Sequence, residues 1–292
     1  MFKRLLVPLD GTTQSEASLP AARFLAERNA ASVTLLHIVE RKAPKTAHGE
    51  PHLTSAEDAE TYLKAAATTF SKTVPVTWHV HREDAGRVDR GIADHISELN
   101  PDTIVMGQHR RAGWRGLLFG RMPQKVVAAG DLPVLLVRPP FDCGSILIPH
   151  DDDAAHGRSL RAGMELAGIC RSALHLLRVV PTRSTLKGAP RGAGELLPGA
   201  TASLLEIENE DAARDLREHL AQALAAGIEA DASVKRGEPV RVIAKHCAAV
   251  HAGIIVLGTH GRAGADAFWE GSVAALVCAR TKASVLLVPA AG

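Results

Sequence analysis

Short apolar runs alternate with longer amphipathic stretches along the whole chain. The runs at Arg4–Leu9, Thr103–Met106 and Val134–Val137 are apolar almost throughout. Runs of this length are typical of strands that are buried on both faces of a parallel sheet. Between them, apolar residues recur at three- and four-residue spacing, as in the stretch that follows Ser55, and this spacing predicts helices. The alternation predicts an α/β fold, with a mainly parallel sheet and helices on both faces.

Four segments of the first half recur in the same order in the second half. Two recur 141 residues later and two recur 151 residues later, so the second copy is longer between its second and fourth strands. The pairs are Leu5–Asp10 with Ile146–Asp151, Leu35–Val39 with Leu176–Val180, Thr103–His109 with Ile254–His260, and Val134–Val137 with Val285–Val288. The chain is therefore predicted to hold two tandem domains, residues 1–140 and 145–292, each built on a five-stranded sheet.

Two local patterns give specific predictions for the helices. Thr13–Glu16 fits a capping box, but Pro20 conflicts with a straight helix, so either Ser18 is the true cap or the helix is kinked there. In the second copy, Pro181–Ala202 is rich in Gly and Pro and is predicted to be an exposed, mobile loop. A helix is predicted from Ser203 to Ala226, with its leucines 205, 216, 220 and 224 facing inwards.

Composition narrows the range of functions. The 292 residues are 46% hydrophobic and 23% charged, with a formal net charge of +2. This charge is too small to indicate a nucleic-acid or membrane partner. The four cysteines are scattered, without a C-x-x-C pair, which argues against a disulfide framework or a zinc ribbon. No apolar run approaches the length of a membrane span, and the run at residues 1–10 is too short for a signal peptide. We expect a soluble, cytoplasmic protein.

One segment of the second copy carries a pattern that suits phosphate. Gly258 and Gly261 are separated by two residues, nine more residues follow, and Gly271-Ser272 then opens a helix-like stretch at Val273. Glycines let a ligand approach the backbone closely, and a helix N-terminus offers free N–H groups and a positive dipole end. Isolated glycines would also suit an ordinary strand–turn–helix connection. The Ser272 hydroxyl is better interpreted as a phosphate donor than as a nucleophile, since no base lies near it in sequence.

On these residues the chain resembles a tandem universal stress protein, and the resemblance covers essentially all of it. The family's nucleotide motif is Gly, two residues, Gly, nine residues, Gly, then Ser or Thr, and the second copy matches it completely. The resemblance implies a Rossmann-like, adenine nucleotide-binding fold and ATP as ligand, with or without Mg²⁺. The implied nucleotide-binding residues are Pro149, Asp151, Val180, Leu257, Gly258, Gly261, Arg262, Gly271, Ser272 and Val273.

The first copy departs from this motif. Asp10, Val39, Gly107 and Gly120 are retained, but Arg110 replaces the second glycine and Arg121 replaces the Ser or Thr. If the second glycine position needs a positive φ, arginine adds about 1 kcal/mol or more of strain. We therefore expect the first site to be degenerate for ATP. The alternative is that the two arginines form a different anion site.

Some clusters of histidine and aspartate are less specific signals of metal binding or catalysis. His150, the aspartates that follow it and His156 could hold a metal, but a loop and helix cap is the favoured interpretation. His79 and His81 alternate on one face of a strand; they are either paired ligands or ordinary strand residues. We predict no metal site and no catalytic residues. The favoured function is an ATP-binding stress-response regulator in which nucleotide sets conformation or partner choice. A slow ATPase and a nucleotide-independent scaffold are the alternatives.

The last strand of each copy is expected to lie at a sheet edge. An exposed apolar edge is normally paired or covered, and single-domain members of the resembled family dimerise through this strand. Val134–Val137 and Val285–Val288 are therefore predicted to pair within the chain as an intramolecular pseudo-dimer. Homodimers of whole chains are a further alternative.

Overall fold

A computed structural model was used to locate these elements. It describes residues 1–40, 46–47, 50–51, 53–83, 92, 95–96, 98–108, 126, 132–150, 156–186, 197–259 and 273–289. The chain forms two compact units. The first comprises Met1–Asp142, Gly258–Glu270 and Ser284–Gly292, and the second comprises Cys143–Leu257 and Gly271–Ala283.

The first unit is an α/β sandwich. Its strands are β1 (Arg4–Pro8), β2 (Ser32–Glu40), β5 (Val76–Glu83), β6 (Thr103–Gly107) and β7 (Val134–Val137), joined by β12 (Ser284–Pro289). A small antiparallel pair, β3 (Thr46–Ala47) and β4 (Glu50–Pro51), stands apart from this sheet. Its helices are α1 (Thr13–Glu16), α2 (Leu19–Asn29) and α3 (Ala56–Ala67). Short helical pieces are also described at residues 92, 95–96 and 98–99.

The sheet of the first unit runs in the order β12-β7-β6-β1-β2-β5. The pairs from β7 to β5 are parallel, as the apolar runs predicted. β12 is antiparallel to β7, with Val285 opposite Leu136 and Leu287 opposite Val134. The predicted pairing of the two final strands is thereby confirmed, and it removes the apolar edge that β7 would otherwise present.

The second unit repeats the same pattern. Its strands are β8 (Ser145–His150), β9 (Ala173–Val180), β10 (Ala230–Arg236) and β11 (Ile254–Thr259), which are parallel and neighbour one another in the order β10-β9-β8-β11. Its helices are α4 (His156–Cys170), α5 (Pro198–Ala225), α6 (Pro239–Ala249) and α7 (Val273–Arg280). A 3₁₀ turn covers Arg183–Thr185.

Helix α5 corrects two predictions about the second copy. It begins at Pro198, so the predicted loop Pro181–Ala202 is shorter than expected and ends where proline occupies the first helical position. Leu224 is 53% exposed, although it was predicted to face inwards. The buried positions 205, 212, 216 and 223 lie on one stripe at about 100° per residue, and Leu224 is one such step away from Ala223. Half of the residues of that stripe are alanines, and a prediction based on leucines alone did not include them.

The start of the first helix also differs from its prediction. The N-cap is Thr12, one residue before the predicted capping box, and its hydroxyl accepts a hydrogen bond from the Ser15 N–H at 3.2 Å. A break follows at Ala17, and Ser18 occupies the N-cap position of α2, with Pro20 in the first turn. Pro20 thus divides the predicted helix into two, because it lacks the N–H that a continuous helix would use there.

The inner strands of both units are largely buried on their two faces, whereas the outer strands β5 and β10 are half-buried or exposed. Every residue of β6 and of β7 is buried, and the largest fully buried side chains of β1 and β2 are leucines. Strands covered on both sides in this way place their loops, and any ligand, beyond the ends of the strands. Among the described helices, none combines the length and the apolar character that crossing a membrane requires.

Candidate functional site

The predicted site of the second repeat lies at the carboxyl ends of three parallel strands. β8 ends at His150, β9 ends at Val180 and β11 ends at Thr259. Pro149, Leu257 and Gly258 therefore lie among the last residues of their strands, next to this edge. Val273 is the first residue of α7. The predicted contacts Asp151, Gly261, Arg262, Gly271 and Ser272 lie outside the described residues. The described part of the site has the strand-end setting in which open α/β sheets bind ligands.

The backbone of Val180 already has one partner. Its carbonyl accepts a hydrogen bond of 3.0 Å from the Gly237 N–H, and its side chain is buried. Gly237 has a φ of +147°, a conformation that glycine adopts and other residues rarely do. The next residue, Glu238, caps α6 by accepting from two of its backbone N–H groups. This turn holds the end of β9 in place.

A polar cluster lies beside the end of β8. His150 Nε2 is 2.8 Å from Asp215 Oδ2, and His219 Nε2 is 3.4 Å from Asp215 Oδ1. The two imidazole rings are edge-on, with centroids 4.6 Å apart. Arg178, which is opposite His150 in the β8–β9 register, is buried. One carboxylate on α5 thus connects two histidines, an arrangement that orients the imidazoles and could also hold a cation.

In the first unit, Asp10 stabilises its own loop. Its Oδ1 accepts from the Thr12 N–H at 3.0 Å and from the Thr12 hydroxyl at 2.6 Å, and its own N–H donates to Ser15 Oγ at 3.2 Å. Such side-chain bonds to the backbone two residues ahead are typical of aspartate in turns. Asp10 therefore has a structural role at the end of β1 that does not require a nucleotide.

Gly107 also has a structural role. A Cβ atom added there would lie 1.9 Å from the Gln14 carbonyl oxygen and 3.2 Å from the Ser15 Cα. The backbone of α1 thus packs directly on the end of β6, in a space that only glycine leaves free. Two of the retained residues, Asp10 and Gly107, are therefore explained by loop geometry and packing. Arg110, Gly120 and Arg121 lie outside the described residues.

The surroundings of the first site are acidic. Burial, and then the Glu16 and Asp10 carboxylates, raise the pKa of the Tyr62 phenol well above its usual value. Val39, predicted at this edge, is buried near the end of β2. Two carboxylates at the edge of the sheet disfavour a phosphate there, unless cations offset them.

A second histidine cluster lies on β5. The His95 ring lies 4.6 Å from the His79 ring and 4.6 Å from the His81 ring, centroid to centroid. Burial first, and then His95, lower the pKa of His79 below its usual value. The alternation of His79 and His81 was visible in the sequence, but no local pattern indicated His95. Asp215 and His219 were missed in the same way, although their i, i+4 spacing on a helix was visible.

Comparison with known proteins agrees with the repeat and the fold. The family model described as the universal stress protein family matches twice, at residues 1–138 and 144–289. The chain is 32% identical over 137 residues to universal stress protein Sll1654 of Synechocystis, a match covering 47% of this chain and 86% of that protein. It is also 32% identical over 142 residues to a universal stress protein of Thermus aquaticus, covering 47% of this chain and 100% of that protein.

Several solved structures match both halves. A universal stress protein from Archaeoglobus fulgidus superposes with a TM-score of 0.73 at 17% identity, covering 98% of each chain. At this identity the match shows the fold alone. The fold is the predicted one, with parallel strands and helices on both faces in each half.

Proposed function

The chain belongs to the universal stress protein family, and we propose that it is a regulatory protein whose second repeat binds an adenine nucleotide, with ATP as the first candidate. In this proposal nucleotide occupancy sets the conformation or the partner of the protein. The first repeat serves as a structural counterpart that binds no ATP.

One observation carries the proposal. The complete glycine and serine spacing of the second repeat starts at Gly258, inside β11, and finishes immediately before Val273, where α7 begins. A buried strand thus leads through glycines to a helix N-terminus, and this order of elements suits a polyphosphate. The neighbouring strand ends, at Pro149 and Val180, supply a wall against which an adenine ring can lie.

The assignment of one site, not two, is supported by the first repeat. Asp10 forms hydrogen bonds within its own loop, and Gly107 leaves room for the backbone of α1. The presence of these two residues in the first repeat therefore does not require phosphate binding. Glu16 adds a negative charge at the same edge of that sheet. Arg110 and Arg121 occupy the positions where the motif has glycine and serine or threonine.

We propose binding without efficient catalysis. The motif contains no P-loop lysine, and no base or water-positioning residue is evident next to Ser272 in sequence. A bound Mg²⁺ would supply part of the electrostatic stabilisation of a leaving phosphate, but it would not supply a positioned base. The regulatory function is therefore favoured over an ATPase function.

Calorimetric titration of the full chain with ATP and Mg²⁺ tests the proposal. We expect one site per chain. Gly261→Arg and Ser272→Arg, which copy the first repeat into the second, should each abolish it, because the arginine side chain would occupy the space of the phosphates and losing one phosphate hydrogen bond adds about 1.5–3 kcal/mol. Two sites of similar affinity would contradict the argument about the first repeat.

Gly199→Arg is the matched control. Gly199 is exposed in the first turn of α5, and nothing lies within 4 Å of an added Cβ. This variant adds the same side chain to the same repeat and should bind ATP as the wild type does. If Gly261→Arg binds normally while folded, as judged by circular dichroism, the phosphate loop has been assigned wrongly.

A further inference from the structure

Three histidines of the first unit converge on one face of β5. His79 and His81 are two residues apart in the strand, so their side chains leave the same face. His95, which lies in a helical piece, is buried over that face, in ring contact with both. We propose that these three imidazoles form a binding site for a divalent transition-metal ion of the zinc class.

The distances fit such an ion closely. One ring nitrogen from each histidine lies within 4.8 Å of the other two. A tetrahedral zinc site has Zn–N bonds of about 2.0–2.1 Å, which places its ligand nitrogens about 3.4 Å apart. Each imidazole therefore has to move by less than about 1 Å, which a small change of side-chain torsions provides.

The strand supplies a fixed base for two of the ligands. β5 is paired along its whole length with β2, with His79 opposite Leu36 and His81 opposite Ile38. Trp78 belongs to the opposite face, where the Lys64 ammonium of α3 lies 5.9 Å from its ring centroid. Strand pairing with β2 and packing of a helix on one face fix the backbone positions of the two histidines. Ligands that are held in position before the ion arrives favour metal binding.

The chemistry of the ligands selects the ion. Three imidazole nitrogens suit zinc, copper, nickel or iron, whereas calcium and magnesium prefer oxygen ligands. Three histidines with a fourth position open to water form a recurring zinc arrangement. The Glu98 carboxylate is 3.7 Å from His95 Nε2, just outside hydrogen-bond distance, so a small rotation would bring it to where carboxylates commonly orient metal-binding histidines.

The proposal concerns a part of the first unit that the nucleotide motif does not use. The outcome of the zinc experiment therefore does not depend on whether the second repeat binds ATP. Packing of three imidazoles against one another, without an ion, is the alternative explanation of the cluster, and the experiment has to separate the two.

Zinc titration of the full chain, after treatment with a chelator, is the test. A chromogenic zinc indicator serves as competitor and plasma emission spectroscopy gives the stoichiometry. We expect one tightly bound zinc per chain, and a loss of affinity of at least about 100-fold in His81→Gln and in His79→Gln, since even partners outside the ligand set cost 10–100-fold. Glu98→Gln should weaken zinc binding within that smaller range.

Two controls exclude the other places where zinc could bind. His219→Gln removes a member of the second histidine cluster and should leave this zinc in place. Cobalt(II) substitution should give the intense visible bands of a four-coordinate ion, without thiolate charge-transfer bands, because no cysteine belongs to the cluster. The cobalt bands should disappear in His81→Gln. Circular dichroism must show that each variant is folded.

Three results would overturn the proposal. One is zinc affinity that is unchanged in both His79→Gln and His81→Gln. Another is loss of the tight zinc in His219→Gln, which would assign the ion to the second cluster. The third is a wild-type chain that retains no zinc in competition with the indicator, which would leave imidazole packing as the explanation.

Discussion

Gly107→Ala tests whether the first repeat keeps this glycine for packing. The added Cβ would lie 1.9 Å from the Gln14 carbonyl oxygen, and real Cβ atoms essentially never come closer than 3.0 Å to a neighbour. The end of β6 and the start of α1 must therefore separate by about 1 Å, with backbone on both sides of the contact. Overpacking of a rigid site costs about 1–3 kcal/mol, and a backbone contact belongs at the upper end. We expect a loss of about 3 kcal/mol in the stability of the first unit.

Two other glycines calibrate this magnitude. A Cβ on Gly163 would lie 2.3 Å from Ile148 Cδ1, which is the end of a flexible side chain, so Gly163→Ala should cost less than Gly107→Ala. Gly168 is exposed in α4 with nothing within 4 Å of its Cβ position. Gly168→Ala should therefore be neutral or stabilising, by up to about 1 kcal/mol, through helix propensity alone.

Urea denaturation followed by circular dichroism gives the three stabilities, and hydrogen exchange with mass spectrometry localises each loss to a unit. The expected order of destabilisation is Gly107→Ala, then Gly163→Ala, then Gly168→Ala. A Gly107→Ala protein as stable as the wild type would refute the packing explanation. The glycine would then have to be explained by ligand binding in the first repeat.

Three further predictions concern α5, the half-buried His246 and the rate of ATP hydrolysis. Leu216→Ala should cost about 2–5 kcal/mol and Leu224→Ala no more than about 0.5 kcal/mol, as measured by urea denaturation, and equal losses would contradict the buried stripe of alanines and leucines. Burial first, and then Lys235 and His175, lower the pKa of His246 below its usual 6.5, although Asp231 opposes this, so its NMR titration should have a midpoint below 6.5. Since the folded state then binds that proton less tightly than the unfolded chain, lowering the pH through 6.5 should destabilise the second unit, and less so in His246→Gln. ATP hydrolysis should stay below about 1 s⁻¹, the low end for kinases, and a faster magnesium-dependent rate that vanishes in Ser272→Arg would make the protein an enzyme.

Much of the fold was predictable because buried parallel strands leave an unambiguous signal. β7 was predicted to the residue, and the repeat predicted its counterpart, β12. The start of α5 was missed because Pro and Gly suggested a loop, whereas Pro198 occupies the first helical position. The inward face of α5 was misjudged because alanine buries as well as leucine but stands out less in a sequence.

Only part of the candidate site was predictable from the sequence. Spacing along the chain revealed the glycine and serine motif, because those residues are close together in sequence. The histidine clusters depend on contacts between distant elements, such as His95 over β5 and Asp215 beside His150, which no local pattern encodes. The roles of Asp10 and Gly107 needed the structure, since loop bonds and a missing Cβ explain residues that the motif alone would assign to a ligand.

The pairing of β12 with β7 has a consequence for synthesis of the protein. Leu136 meets Val285, so this contact joins positions separated by about half of the chain. A domain emerging from the ribosome can form only those contacts whose residues have already been made. The apolar edge of β7 therefore stays unpaired until the second repeat has been translated as far as β12. The interval before Ser284–Pro289 emerges is when a chaperone would be most needed, and a transcript truncated between the repeats would yield a first repeat that associates through β7.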